Sequence, residues 1–95
     1  MSLSDQVFTS VWDAIEDTPV DAENMKIRSG LIMAIRDHID EKKLSQAEAA
    51  RLFNVTQPRI SELQRGKIDL FSIDKLINML AHGGLRVELH IAKAA

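Results

Sequence analysis

Two short apolar-patterned stretches, 45–53 and 56–63, stand end to end with only Asn54 and Val55 between them, and no other feature restricts the fold as much. Ser45 and Glu48 have the three-residue spacing at which a serine hydroxyl and a glutamate carboxylate satisfy each other's backbone amides, so a helix opens at Ser45 and ends near Phe53. Asn54 is one of the few residues besides glycine that tolerates the left-handed backbone of a tight interhelical turn. Thr56 then caps a second helix. Pro58 falls in its first turn, where a missing N–H costs nothing, and Gly66 closes it. Helices that cross steeply need small residues where they touch. Ala49 and Ala50 supply them, while Val55, Ile60 and Leu63 are apolar pegs that lock the second helix onto the first. Gln57, Pro58, Arg59, Ser61 and Glu62 are left facing outward, toward a groove.

The flanking chain reads as three more helices and one strand. Val7, Phe8, Val11, Trp12 and Ile15 recur at the spacing of one helical face, with Ser4 as a cap and Thr18-Pro19 as a stop. A longer helix is expected from Asp21, as its cap, through Ile27, Leu31, Ala34, Ile35 and Ile39 to Asp40-Glu41-Lys42-Lys43. Ser72 starts another, with Ile73, Leu76, Ile77 and Leu80 on one face and Gly83-Gly84 as terminator. In 85–92 the period changes to two: Leu85, Val87, Leu89 and Ile91 alternate with Arg86, Glu88 and His90, as in a strand with one buried face. The expectation is an all-α fold of five helices with a C-terminal β-strand. A lone strand needs a partner for its amides. Pairing with its own copy across a two-fold axis gives a homodimer joined through Leu85, Val87, Leu89 and Ile91; the alternative is pairing inside the monomer near the N-terminus.

Ninety-five residues, 45% hydrophobic and 27% charged, suit one domain over 1–95 with one modest core and no room for a separate catalytic or sensing domain. The absence of cysteine removes disulfides, thiol chemistry and cysteine-based zinc sites, and makes the cytoplasm the expected compartment. The longest apolar run, Leu31 to Ile35, is far short of the roughly 18 residues of a membrane span. A secretory signal is not expected, because the segment 1–25 has no Lys or Arg and six acids, Asp5, Asp13, Glu16, Asp17, Asp21 and Glu23. The net charge of −2 is therefore uneven: eight acids and twelve bases leave 26–95 at +4. Such a mild excess predicts modest non-specific affinity for a polyanion and a reliance on well-placed contacts or on a partner.

The stretch 44–66 resembles the Cro and phage-repressor family of helix-turn-helix proteins, often called the Xre family. Gln46, Ala50, Ile60, Leu63 and Gly66 match residues typical of that family, and Asn54 stands where glycine is commonest. The resemblance implies a lambda-repressor-like helix-turn-helix domain that binds double-stranded operator DNA as a repressor. More narrowly, Val11-Trp12-Asp13, Phe71-Ser72-Ile73-Asp74-Lys75-Leu76 and Gly84-Leu85-Arg86-Val87-Glu88-Leu89 resemble a subgroup of short Xre proteins. That subgroup includes antitoxins of the HigA type, which repress their own operon and bind a small ribonuclease toxin.

Roles follow residue by residue. Gln46 resembles the family glutamine that bonds a phosphate and buttresses the reading helix. Gln57 is the first choice for a base contact, because its amide donates and accepts at once and so matches adenine. Arg59 suits guanine or a phosphate. Pro58 offers only apolar contact, to a thymine methyl. Glu62 either accepts from cytosine or, three residues from both Arg59 and Arg65, is an intrahelical partner, which is the preferred reading. Thr56, Ser61, Arg65 and Lys67 are expected at phosphates.

Blander readings account for the rest. His38, His82 and His90 are dispersed, so no metal site or cofactor is expected. Asp69 and Asp74 suit a turn and a helix first turn, and no catalytic set emerges. Trp12 and Phe8 suit packing better than base stacking. The acidic N-terminal run suits a solvated face or, more sharply, a docking surface for a small basic ribonuclease toxin. A rival to the repressor is a protein-interaction module that keeps the fold without binding DNA, favoured by the weak basic charge and by Pro58.

Overall fold

A computed structural model describes residues 19–93. Four α-helices and a short 3-10 turn follow one another: α1 (Pro19–Lys42), α2 (Gln46–Phe53), α3 (Gln57–Gln64), the 3-10 turn (Ile68–Leu70) and α4 (Ile73–His82). The helix expected over Val7 to Ile15, its cap Ser4 and the acidic run up to residue 18 lie outside the described residues.

Each of the last three helices starts on the hydroxyl that its sequence supplies. Ser45 Oγ accepts from the Glu48 amide at 3.1 Å while the Ser45 amide donates to Glu48 Oε1 at 2.8 Å, completing the reciprocal cap. Thr56 Oγ1 accepts from the Arg59 amide and Ser72 Oγ from the Lys75 amide. α1 begins two residues earlier than expected. Pro19 is its first residue rather than a stop, because proline's fixed φ suits a first turn, and Asp21 falls inside that turn as a favourable acid.

All four helices end alike. A residue with positive φ follows each (Lys43, Asn54, Gly66 and Gly84), and the next amide reaches back five residues to a carbonyl: Leu44 to Ile39, Val55 to Ala50, Lys67 to Glu62 and Leu85 to Leu80, at 2.9 to 3.1 Å. These tight endings turn the chain sharply at every corner and satisfy some of the carbonyls that a helix end leaves without a partner.

The core combines Ile32, Ile35 and Ile39 of α1, Ala49, Ala50 and Phe53 of α2, Ile60 and Leu63 of α3, Phe71, and Leu76, Met79 and Leu80 of α4. No polar or charged residue is buried among those described. Of the face expected for α1, Ile35 and Ile39 are buried and Leu31 packs beside them, but Ile27 and Ala34 are exposed and Ile32 takes their place, because α4 and the 3-10 turn pack against the side that also carries Arg28. His38 meets Phe53 edge-on, with ring centroids 6.0 Å apart.

The C-terminal expectation needs a correction. Among the described residues no strand forms, and 85–93 runs on without a ladder partner. Leu85 and Val87 are half-buried against the core, whereas Leu89 and Ile91 are 75% and 86% exposed. The four do not share one environment, because an extended chain advances about 3.3 Å per residue and carries the last two beyond this small core.

Candidate nucleic-acid interface

α2 and α3 pack through small and apolar side chains. Ala49 is fully buried and Ala50 nearly so, which lets the helices approach, and Ile60 and Leu63 seat α3 in the core. Asn54, at φ 59 and ψ 48, makes the turn between them. This fixes which faces of α3 remain outside: Gln57, Pro58 and Arg65 are exposed, and Arg59, Ser61, Glu62 and Gln64 are half-buried.

The expected site residues fall into three groups. Thr56, Gln57 and Pro58 lie at the start of α3 and Ser61 in its middle. Thr56 spends its hydroxyl oxygen on the cap but keeps an O–H to donate. Pro58 brings no amide, and those of Arg59 and Ile60 are taken by Thr56. Gln46, exposed at the start of α2, donates from Nε2 to Gln64 Oε1 at 3.0 Å, tying the first helix of the pair to the last residue of the second. Arg65 and Lys67 are exposed just after α3, with Arg65 Nε near the Ser61 carbonyl at 3.4 Å.

Arg59 and Glu62 form the third group. Of the two arginines three residues from Glu62, Arg59 takes the carboxylate, Nη1 to Oε1 at 3.0 Å, and its guanidinium carbon lies 5.6 Å from the centroid of the Phe71 ring. The intrahelical reading of Glu62 thus describes this structure.

Two contributors were missed by sequence reasoning. Gln64 is 18 residues from Gln46 and Phe71 is 12 from Arg59, and neither pairing leaves a local spacing signal. Among the described residues no group of three or more His, Asp or Glu side chains is placed to hold a metal ion, and no helix is long and apolar enough to cross a membrane.

Comparison with known proteins agrees with this geometry. A family model described as a helix-turn-helix domain matches residues 14–92. A solved structure described as a candidate XRE family transcriptional regulator is similar at a TM-score of 0.71 and 35% identity, over 78% of this chain and 83% of that one. No curated protein matches the chain significantly. The match over most of its length, with the paired helices α2 and α3 at its centre, means that the chain belongs to the helix-turn-helix domain family.

Proposed function

We propose that this protein is a sequence-specific DNA-binding transcriptional regulator, acting as a repressor and not as an enzyme. One observation carries the reading: α3 is pegged by Ile60 and Leu63 while Gln57, Pro58 and Arg65 stay exposed, as a helix that enters a major groove requires. Gln57 reads adenine through its amide, Pro58 contacts a thymine methyl, and Gln46, Thr56, Ser61, Arg65 and Lys67 fix the register on phosphates. The similarity to an XRE-type regulator supports the same reading.

The finer reading is a homodimer whose C-terminal segments pair through Leu89 and Ile91, serving in the cytoplasm as the antitoxin of a toxin–antitoxin pair. The acidic run of 1–25 is then the surface offered to a small basic ribonuclease toxin. Exposure of Leu89 and Ile91 supports the dimer, and the short Xre sequence phrases support the antitoxin role.

A second reading, a protein-interaction module without DNA binding, is favoured by the engagement of Arg59 with Glu62 and Phe71 and by the net charge of −2. Selection of random duplex DNA by the purified protein separates the two. Enrichment of an inverted repeat that survives physiological salt establishes the regulator; binding that lacks a motif and vanishes with salt favours the interaction module.

A further inference from the structure

The Arg59–Glu62 pair sits in the middle of the reading helix, and its surroundings decide which side chains remain to meet a base. The guanidinium is held from two directions: Glu62 Oε1 accepts from Nη1 at 3.0 Å, and the Phe71 ring lies 5.6 Å away on its face. Phe71 itself is buried, 1% exposed between the 3-10 turn and α4. The two charged side chains are only 36% and 29% exposed, so the pair is screened less than a surface ion pair. Arg65 and Lys67, by contrast, stand exposed.

We propose that Glu62 is a specificity-determining positioning residue: it holds Arg59 on Phe71 and out of the groove, so that α3 reads A·T pairs through neutral side chains. The inference rests on the DNA-reading function proposed above. A free arginine on a reading helix takes the O6 and N7 of guanine, the commonest specific contact in the major groove. Glu62 takes one of the five donors of Arg59 and Phe71 lies on its face, so to make that contact Arg59 must turn off the ring and strain its bond to Glu62, whose carboxylate the phosphates repel. What remains along α3 is the amide of Gln57, the ring of Pro58 and, in mid-helix, the hydroxyl of Ser61. Adenine and the thymine methyl suit the first two. The pair also sums to zero charge, which leaves counterion release to Arg65 and Lys67.

The test is selection from random duplex DNA, with the full chain, for wild type, R59A, E62A, E62Q and the R59A/E62A double variant. Each selected duplex is then titrated against salt, and thermal unfolding verifies that each variant is folded. Wild type and R59A are expected to select the same A·T-rich half-site, R59A binding every duplex more weakly because Glu62 is bared. E62A is expected to add a guanine to each half-site with about tenfold preference, and to steepen the slope of log affinity against log salt by about one. E62Q, of the same shape, is expected to do likewise more mildly, and the double variant to lose the guanine. A wild-type half-site whose guanine disappears with R59A overturns the inference and leaves sequence-specific DNA binding standing. So does an E62A site identical to that of wild type. No enrichment from any of the five proteins overturns the DNA reading, and the inference with it.

Discussion

Gly83 lies so close to the Phe53 ring that a Cβ placed on it would stand 2.8 Å from Cδ1 and nearer still to Cε1. Its φ of −79° is ordinary, so it is room, not backbone freedom, that excludes a larger residue. Phe53 is fully buried at the end of α2, and the contact therefore joins the helix pair to the end of α4. Substituting Gly83→Ala is expected to cost about 1–3 kcal/mol, as overpacking does. Gly30→Ala in exposed mid-α1, where a Cβ meets nothing within 4 Å, is expected to gain about 0.5–1 kcal/mol. Urea denaturation of the two variants checks the opposite signs; a G83A midpoint equal to wild type would remove the claimed tightness.

Asn54 carries the turn of the helix pair at φ 59, with its Nδ2 3.5 Å from His82 Nε2. Asn54→Val, β-branched and ill-suited to a left-handed backbone, is expected to lose about 1–2 kcal/mol, whereas Asn54→Gly holds or raises stability. If the valine variant melted with wild type, the turn would have another conformation.

Acid should loosen the start of α2. Glu48's carboxyl is held below its ordinary 4.5 first by the Ser45 backbone amide and then by the Ser45 side chain, with help from Arg51 and against the effect of desolvation. A depressed folded value means that the contribution is complete above the unfolded pKa and is lost as pH falls through the folded one. The cap is exposed, so the effect is small. Stability measured from pH 7 down to about 3 should fall less steeply in E48Q than in wild type; equal slopes would deny the cap any pH dependence.

Local rules recovered much of this architecture, and they failed where distance along the chain was large. Ser45, Asn54, Thr56, Gly66 and Ser72 each act within a few residues, so their roles were readable directly. Pro19 was read as a stop because a proline that ends one segment looks like a proline that starts the next. On α1 the expected Ile35 and Ile39 are buried and Leu31 packs beside them, but Ile27 and Ala34 are exposed and Ile32 was missed, because apolar residues lie on both sides of the stripe and only the packing of α4 selects between them. At the site, exposure of Gln57 and Pro58 followed from helical periodicity. The bridge from Gln46 to Gln64 and the seat of Arg59 on Phe71 depend on tertiary placement.

The Gln46–Gln64 bridge gives a coupling that can be measured. Gln46 is exposed and Gln64 half-exposed, so Q46A and Q64A should each change stability by no more than about 0.5 kcal/mol. Their effect belongs to DNA: each is expected to weaken operator binding by about 1 kcal/mol, because Gln64 acts by orienting Gln46. The double variant should then lose no more than Q46A alone. Additive losses would mean that the two glutamines contact DNA independently.

The C-terminal segment offers a separation of folding from assembly. Val87 is half-buried on the core, whereas Leu89 and Ile91 are exposed in the single chain, with the Arg86–Glu88 pair at 2.7 Å also at the surface. Lysine at 89 and 91 should therefore leave monomer stability nearly unchanged while removing apolar area worth about 1.5–3 kcal/mol per fully buried side chain, on both subunits of a dimer. Sedimentation is expected to show a dimer for wild type and a monomer for L89K/I91K, and the monomer should lose its preference for half-sites about 34–36 Å apart. V87K, by contrast, should lower the melting temperature itself. Should L89K/I91K remain dimeric, the contact must lie elsewhere, and the exposed Val20, Ile27 and Met33 of α1 become the next surface to alter.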